Sequence, residues 1–191
     1  MLVEDYLQKQ NLLQLQAEEI LSDLNLLNFL NKFGKPTIVG SYALSLMSWP
    51  DIDIVVVSQM KIQDYLETVT YLFPKQNIYS LSLQDFRKSI YPDRPQGLYC
   101  GISYLVKPKT FWKIDIWFLP DAKALDLVNS VKSRLTNENR LTILKIKNEM
   151  REKTKHGKEV SGMDVYKAVL DNGVKDLEEF RRYLNERERV L

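Results

Sequence analysis

The chain has 191 residues, 45% of them hydrophobic and 27% charged. This is ordinary globular usage, and it excludes a disordered chain, a collagen-like chain and a disulfide scaffold. With 27 basic and 25 acidic residues the net charge is +2, which by itself neither selects nor rejects nucleic acid as a partner.

A single cysteine, Cys100, cannot close an internal disulfide and is too little for a cysteine-based zinc site. No apolar run approaches the roughly 18 residues that suggest a membrane span. The first ten residues carry Glu4 and Asp5 and lack a basic stretch followed by an apolar one, so no signal peptide is expected. The expectation is a cytoplasmic protein in a reducing compartment.

In chain order, residues 2–33 keep apolar residues at helical spacing (Ile20, Leu24, Leu27) and predict one long helix, or two with a break. Gly34 and Pro36 stop it. Thr37, Ile38 and Val39 read as a short strand ended by Gly40-Ser41, and residues 42–47 read as a short helix. Trp49-Pro50 breaks that helix, because a proline biases the residue before it away from helical backbone. The segment DIDIVVV, 51–57, is β-branched and reads as a strand. Residues 62–72 predict a helix and 78–83 a strand. Two longer strands, 98–106 and 111–119, flank the hairpin loop Lys107-Pro108-Lys109-Thr110. From residue 121 the chain turns helical and strongly charged, with helices over 122–133, 138–153, 163–170 and 177–189. Ser161 and Asp164 form a capping pair for the third of these, and Asn172-Gly173 ends it. The division expected is a core over 1–120 and a helical extension over 121–191, with 153–162 as the linker candidate within the extension.

Three features carry chemistry, in this order: Gly40-Ser41 after a strand, Asp51-Ile52-Asp53 opening the next, and Asp115 inside WKIDIW. Strand side chains alternate, so Asp51 and Asp53 share a face. A carboxylate within an aromatic and β-branched strand is costly to bury unless it is paired or binds a metal. Three of them on neighbouring strands suit a two-metal phosphoryl-transfer site, in which bridging carboxylates hold two Mg²⁺ ions. The Gly-Ser turn lets backbone N–H groups and a hydroxyl approach phosphate oxygens.

The order VGSYALSLMSWPDIDIVVV and then FWKIDIWFL resembles the nucleotidyltransferase fold of the polymerase-beta type. That superfamily includes antibiotic nucleotidyltransferases, RNA-tailing enzymes and toxin–antitoxin nucleotidyltransferases. WPDIDI, WKIDIW and VYKAVLDNGVKDLEEF also resemble an uncharacterised bacterial nucleotidyltransferase-like group. The resemblance covers residues 38–119. It implies an α/β (α+β) fold with a mixed, largely antiparallel sheet of about five strands flanked by helices. It implies that Gly40 and Ser41 hold a nucleoside triphosphate, that Asp51 and Asp53 bind both metals, and that Asp115 binds one and serves as general base. Lys113, sharing the face of Asp115, either contacts a phosphate or balances the aspartates. The chain departs from the pattern of many members in having neither an arginine nor a second glycine in Ala43-Leu44-Ser45, followed by apolar Leu46, Met47 and Trp49.

The function expected is Mg²⁺-dependent transfer of a nucleoside monophosphate, from ATP or another triphosphate, to a hydroxyl acceptor. A small molecule is favoured over a polynucleotide as acceptor. A toxin-type enzyme acting on tRNA or protein, a non-catalytic binding or regulatory relative, and a metal-dependent nuclease are the alternatives. The oligomeric state is open, and the first helix reads either as a partner interface or as packing on its own sheet.

Residues 132–158 carry nine basic and three acidic side chains. They form either a phosphate-binding patch, with Arg134, Arg140, Lys145 or Lys147 turned to the triphosphate, or a solvated face. Tyr99, Tyr104, Trp112 and Trp117 read as core or as a base-stacking platform. His156, the one histidine, reads as exposed and without function, and Cys100 as buried and inert.

Overall fold

The computed structural model describes residues 3–88, 90, 94–153 and 160–190. His156, with Lys155 and Lys158 of the basic stretch, lies outside the described residues. The elements run α1 (Val3–Asp23), α2 (Leu26–Leu30), β1 (Lys35–Val39), α3 (Gly40–Ala43), β2 (Asp51–Val57), α4 (Ile62–Leu72), β3 (Ile78–Asp85), β4 (Leu98–Lys107), β5 (Thr110–Leu119), α5 (Lys123–Arg134), α6 (Asn137–Lys153), α7 (Gly162–Asn172) and α8 (Leu177–Val190).

The first helical stretch is broken, not continuous. Asn25 takes a left-handed conformation, φ 46, which asparagine tolerates better than most residues. The short helix after β1 starts at Gly40, not at residue 42, and ends at Ala43, because Ser45 turns to φ 53. Ser161 and Asp164 form a reciprocal capping box at α7, and Gly173 (φ 66) ends that helix. Thr136 and Asn139 exchange backbone-to-side-chain bonds of 2.8 and 3.2 Å at the start of α6, fixing its first turn.

The five strands lie in the order β1-β2-β5-β4-β3. All pairs are antiparallel except β2 and β5, which run parallel with Asp51 beside Lys113 and Asp53 beside Asp115. The fold is therefore α/β with a mixed, largely antiparallel sheet. The alternation of strand side chains then sorts the sequence cleanly. Ile52, Ile54 and Val56 of β2, Ile114, Ile116 and Phe118 of β5, and Leu98, Cys100 and Ile102 of β4 all enter one core. Ala17, Ile20 and Leu21 of α1, with α2 and Tyr65 and Leu72 of α4, cover that face. Helix α1 thus packs on its own sheet. The opposite face carries Asp51, Asp53 and Asp115.

A second core joins Val131, Ile143, Leu144, Val165, Val169 and Phe180 of the C-terminal helices to Tyr6 of α1. Leu44 and Leu46 of the loop after Gly40-Ser41 belong to it, whereas Met47 belongs to the first core. This loop is apolar because it is the seam between the two. Trp112, Tyr104 and Tyr99 are buried. Tyr99 pairs across the strands with Trp117, and Tyr104 with Trp112, so the aromatics are structural pairs rather than an open stacking platform. Among the described residues, no helix is long and apolar enough to cross a membrane.

Candidate active site

The polar face of the sheet brings the sequence-predicted carboxylates together. One oxygen each of Asp51, Asp53 and Asp115 lies within 4.8 Å of the others. The register produces this directly: Val39, Asp53, Asp115 and Gly101 stand in one row across β1, β2, β5 and β4. Gly40 follows Val39 at φ +62, and a β-carbon on it would stand 2.1 Å from Asp53 Oδ2. The Gly-Ser turn therefore closes against the carboxylate cluster, and Ser41 is buried beside it.

The cluster is electrostatically unbalanced. Burial, then the charges of Asp51 and Asp115, push the Asp53 carboxyl up to about 7. Burial also raises the Asp51 carboxyl, against the pull of Lys113 and a hydrogen bond from Trp49. Among the described residues, none offers a hydrogen bond to the buried Oδ1 of Asp51. Asp115 is better served. Tyr99 donates its hydroxyl to Oδ1 at 2.8 Å, and Lys113 donates to Oδ2 at 2.6 Å. Burial opposes the Lys113 ammonium, yet its bond to Asp115 and the three negative charges leave its pKa raised. Three converging carboxylates with an unpartnered buried oxygen fit divalent cations, whose oxygen ligands are usually carboxylates of this kind.

An open cavity of about 720 Å³ adjoins the cluster, lined by Trp49, Pro50, Asp51, Phe111, Lys113 and Ser161 among others.

Helix α6 holds the loop that links the Gly-Ser turn to β2. Arg140 donates to the carbonyls of Leu44 (2.6 Å) and Ser45 (3.0 Å), and Lys147 to that of Leu46 (2.6 Å). Asn148 donates to Ser48 Oγ at 3.2 Å. Arg140, Lys147 and Asn148 stand at helical spacing on one face of α6. Lys147 is 1% exposed and lies 4.5 Å from the centre of the Trp49 ring. Burial pulls its pKa down to about 7, although Asp51 and Asp53 act to raise it. Arg134 instead bonds the Leu170 carbonyl (2.5 Å) and pairs with Asp171 (2.7 Å), tying α5 to α7. Of the basic residues considered for the triphosphate, Arg134, Arg140 and Lys147 are thus engaged by the protein's own carbonyls and carboxylates. From the sequence, Lys147 was either turned to the triphosphate or on a solvated face; the structure buries it against Trp49 and the Leu46 carbonyl. Its only signal was a lysine flanked by Ile146 and apolar neighbours at helical spacing.

The fold is shared with solved nucleotidyltransferase structures. Cid1 in complex with the UTP analog UMPNPP superposes with a TM-score of 0.59 at 14% identity, over 88% of this chain and 53% of that one. A cytoplasmic RNA terminal U-transferase gives 0.58 at 14% identity, over 87% of this chain and 54% of that one. The Cid1 poly(U) polymerase gives 0.56 at 14% identity, over 87% and 54%. No family model and no curated protein sequence matches the chain. The protein has the nucleotidyltransferase fold of the polymerase-beta type. It spans about half the length of the solved chains it matches.

Proposed function

We propose that the protein is a metal-dependent nucleotidyltransferase that moves a nucleoside monophosphate from a nucleoside triphosphate to a hydroxyl acceptor. The observation that carries this reading is the convergence of Asp51, Asp53 and Asp115 within 4.8 Å beside the Gly40-Ser41 turn and an open cleft. A non-catalytic relative has no need to keep three like charges together, one of them buried and two partly so, which is destabilising without a cation.

Asp51 and Asp53 would hold two Mg²⁺ ions, with Asp115 on one of them. Cations held there would neutralise charge on the transferring phosphoryl group. The chain's own groups do the rest. Backbone N–H groups at Gly40-Ser41 and the Ser41 hydroxyl take the terminal phosphates. Lys113 leaves Asp115 for a phosphate oxygen. Asp115 takes the proton of the acceptor hydroxyl. The acceptor oxygen bonds the α-phosphorus as the α–β bridging bond breaks, and pyrophosphate leaves with that electron pair. Rate comes from holding the reacting atoms in line.

The acceptor proposed is a small molecule, for which the cavity of about 720 Å³ beside Asp51 is of ordinary size. The Cid1 structures include one in complex with its short product ApU, so an RNA 3′-hydroxyl is the second acceptor to test. The first measurement is calorimetry of ATP, GTP, CTP and UTP with Mg²⁺, for wild type and for Asp51→Ala/Asp53→Ala. Metal-dependent binding of a triphosphate, lost in the double variant, supports the transferase and names its donor. No nucleotide binding by the folded wild type rejects a donor-first enzyme.

A further inference from the structure

Gly101 stands directly across from Asp115 in the β4–β5 ladder. A β-carbon on Gly101 would lie 2.5 Å from the Tyr99 hydroxyl oxygen and 3.0 Å from the ring carbon that bears it. The Tyr99 side chain therefore lies along its own strand, over the bare backbone of Gly101. From there its hydroxyl donates to Asp115 Oδ1 at 2.8 Å. An aromatic ring folded over a strand glycine covers a backbone that would otherwise be exposed. Here the same arrangement also reaches a site carboxylate.

The ring has little freedom to leave. It packs at 4.9 Å from Trp117 and 6.3 Å from Phe86, and Tyr65 donates its hydroxyl to the Tyr99 carbonyl at 2.6 Å. Tyr99 is 9% exposed. The two oxygens of Asp115 are thereby unlike. Oδ1 is tied to a rigid neutral donor in the core. Oδ2, among the described residues, is bonded by the flexible Lys113 side chain, which is 59% exposed.

Resting on the transferase reading, we propose that Tyr99, in the space left by Gly101, is a positioning residue that presents Asp115 Oδ2 to the metal and to the acceptor proton. Without the Oδ1 bond the carboxylate turns about its Cβ–Cγ bond and both oxygens lose their assignment. Groups that orient metal-ligating side chains in this way commonly contribute about 10–100-fold in metal affinity.

The test is Mn²⁺ calorimetry on wild type, Tyr99→Phe and Lys113→Met, each checked for folding by circular dichroism. Tyr99→Phe keeps the ring and removes only the hydroxyl. The expected result is Mn²⁺ affinity weaker by about 10–100-fold in Tyr99→Phe and not weakened in Lys113→Met. With an active donor pair, kcat falls in Tyr99→Phe while the KM for nucleotide stays unchanged, a split that general loosening of the fold does not give. Gly101→Ala supplies a second approach, since it displaces the same hydroxyl. Its loss of Mn²⁺ affinity is expected to be large in wild type and small on the Tyr99→Phe background. Equal Mn²⁺ affinity, within twofold, in wild type and in folded Tyr99→Phe or Gly101→Ala overturns the positioning role and leaves the transferase reading standing. A folded wild type that binds no Mn²⁺ overturns the transferase reading, and this inference with it.

Discussion

Gly40 and Asp53 exclude any side chain between them: a β-carbon on Gly40 would sit 2.1 Å from Asp53 Oδ2, and the Gly40 backbone is left-handed at φ +62. The glycine that opens the Gly-Ser turn is thus also the glycine that leaves room for Asp53 in its row. Gly40→Ala carries two costs. The left-handed backbone costs roughly 1–2 kcal/mol for a residue with a β-carbon, and the contact forces Asp53 aside. The expected outcome is a lower melting temperature together with loss of Mn²⁺ binding. A Gly40→Ala protein that melts lower yet binds Mn²⁺ as wild type does would show that the contact does not set the position of Asp53.

The carboxylate row costs stability wherever no cation offsets its charge. Asp53 and Asp115 are cross-strand neighbours of like charge, and burial with the charges of its two partners raises the Asp53 carboxyl to about 7. In EDTA, Asp53→Asn removes this repulsion and keeps the shape. It is expected to raise stability by about 1 kcal/mol, or about 2–4 °C at this chain length. In saturating Mg²⁺ the order reverses. Wild type gains about 2.7 kcal/mol at a hundredfold excess over its dissociation constant, and the variant gains little. Thermal melts with and without Mg²⁺ read both arms. A wild type whose melting temperature ignores Mg²⁺ and Mn²⁺ would remove the metal from the account.

How far the site was legible in the sequence follows from where each residue's information lies. The row of aspartates was readable because strand alternation is a local property: DIDIVVV and WKIDIW fix the faces of Asp51, Asp53 and Asp115 before any pairing is known. The parallel pairing that sets Asp53 beside Asp115 is not local, and neither strand alternation nor the resemblance to the polymerase-beta type specified it. The bounds 51–57 and 62–72 matched because β-branched runs and proline mark their own ends. The break at Asn25 and the early start of α3 at Gly40 rest on left-handed backbone at single residues, which periodicity does not encode. The roles of Arg140 and Lys147 were hidden for another reason. Their partners are backbone carbonyls about a hundred positions away, and a carbonyl has no signature in sequence.

Lys147 makes the buried side of the loop sensitive to pH. Its folded pKa is near 7, below the ordinary 10.5, and the groups facing it are Asp51 and Asp53 of β2 and Tyr166 of α7. Between those two values the unfolded chain binds the proton and the folded chain does not. Stability attributable to Lys147 therefore rises as pH goes from about 7 to about 10.5. Below pH 7 both states are protonated and the cost of burying the ammonium is fully present. The expected outcome is that the unfolding free energy of wild type minus that of Lys147→Met increases between pH 7 and 10 in urea titrations. A difference that is flat across this range would mean that the ammonium stays charged in the folded protein.

Arg140 is a second clamp, and the loop it holds contains the strained residue Ser45 at φ 53. The two carbonyls it serves belong to Leu44, buried in the helical core, and to Ser45 itself. Arg140→Met keeps the length of the side chain and removes both bonds. A carbonyl left without its charged donor costs about 1–3 kcal/mol, so the melting temperature should fall by roughly 2–12 °C at this chain length. The functional consequence is specific in its location. The loop connects Gly40-Ser41 to Asp51, so its loosening separates the turn proposed to take phosphate from the carboxylates while leaving each intact. Nucleoside triphosphate binding in Mg²⁺ should weaken more than Mn²⁺ binding alone, because the nucleotide needs both parts in register and the ion needs only the aspartates. Calorimetry with the two ligands on the same folded Arg140→Met protein distinguishes this from general damage, in which both affinities would fall together.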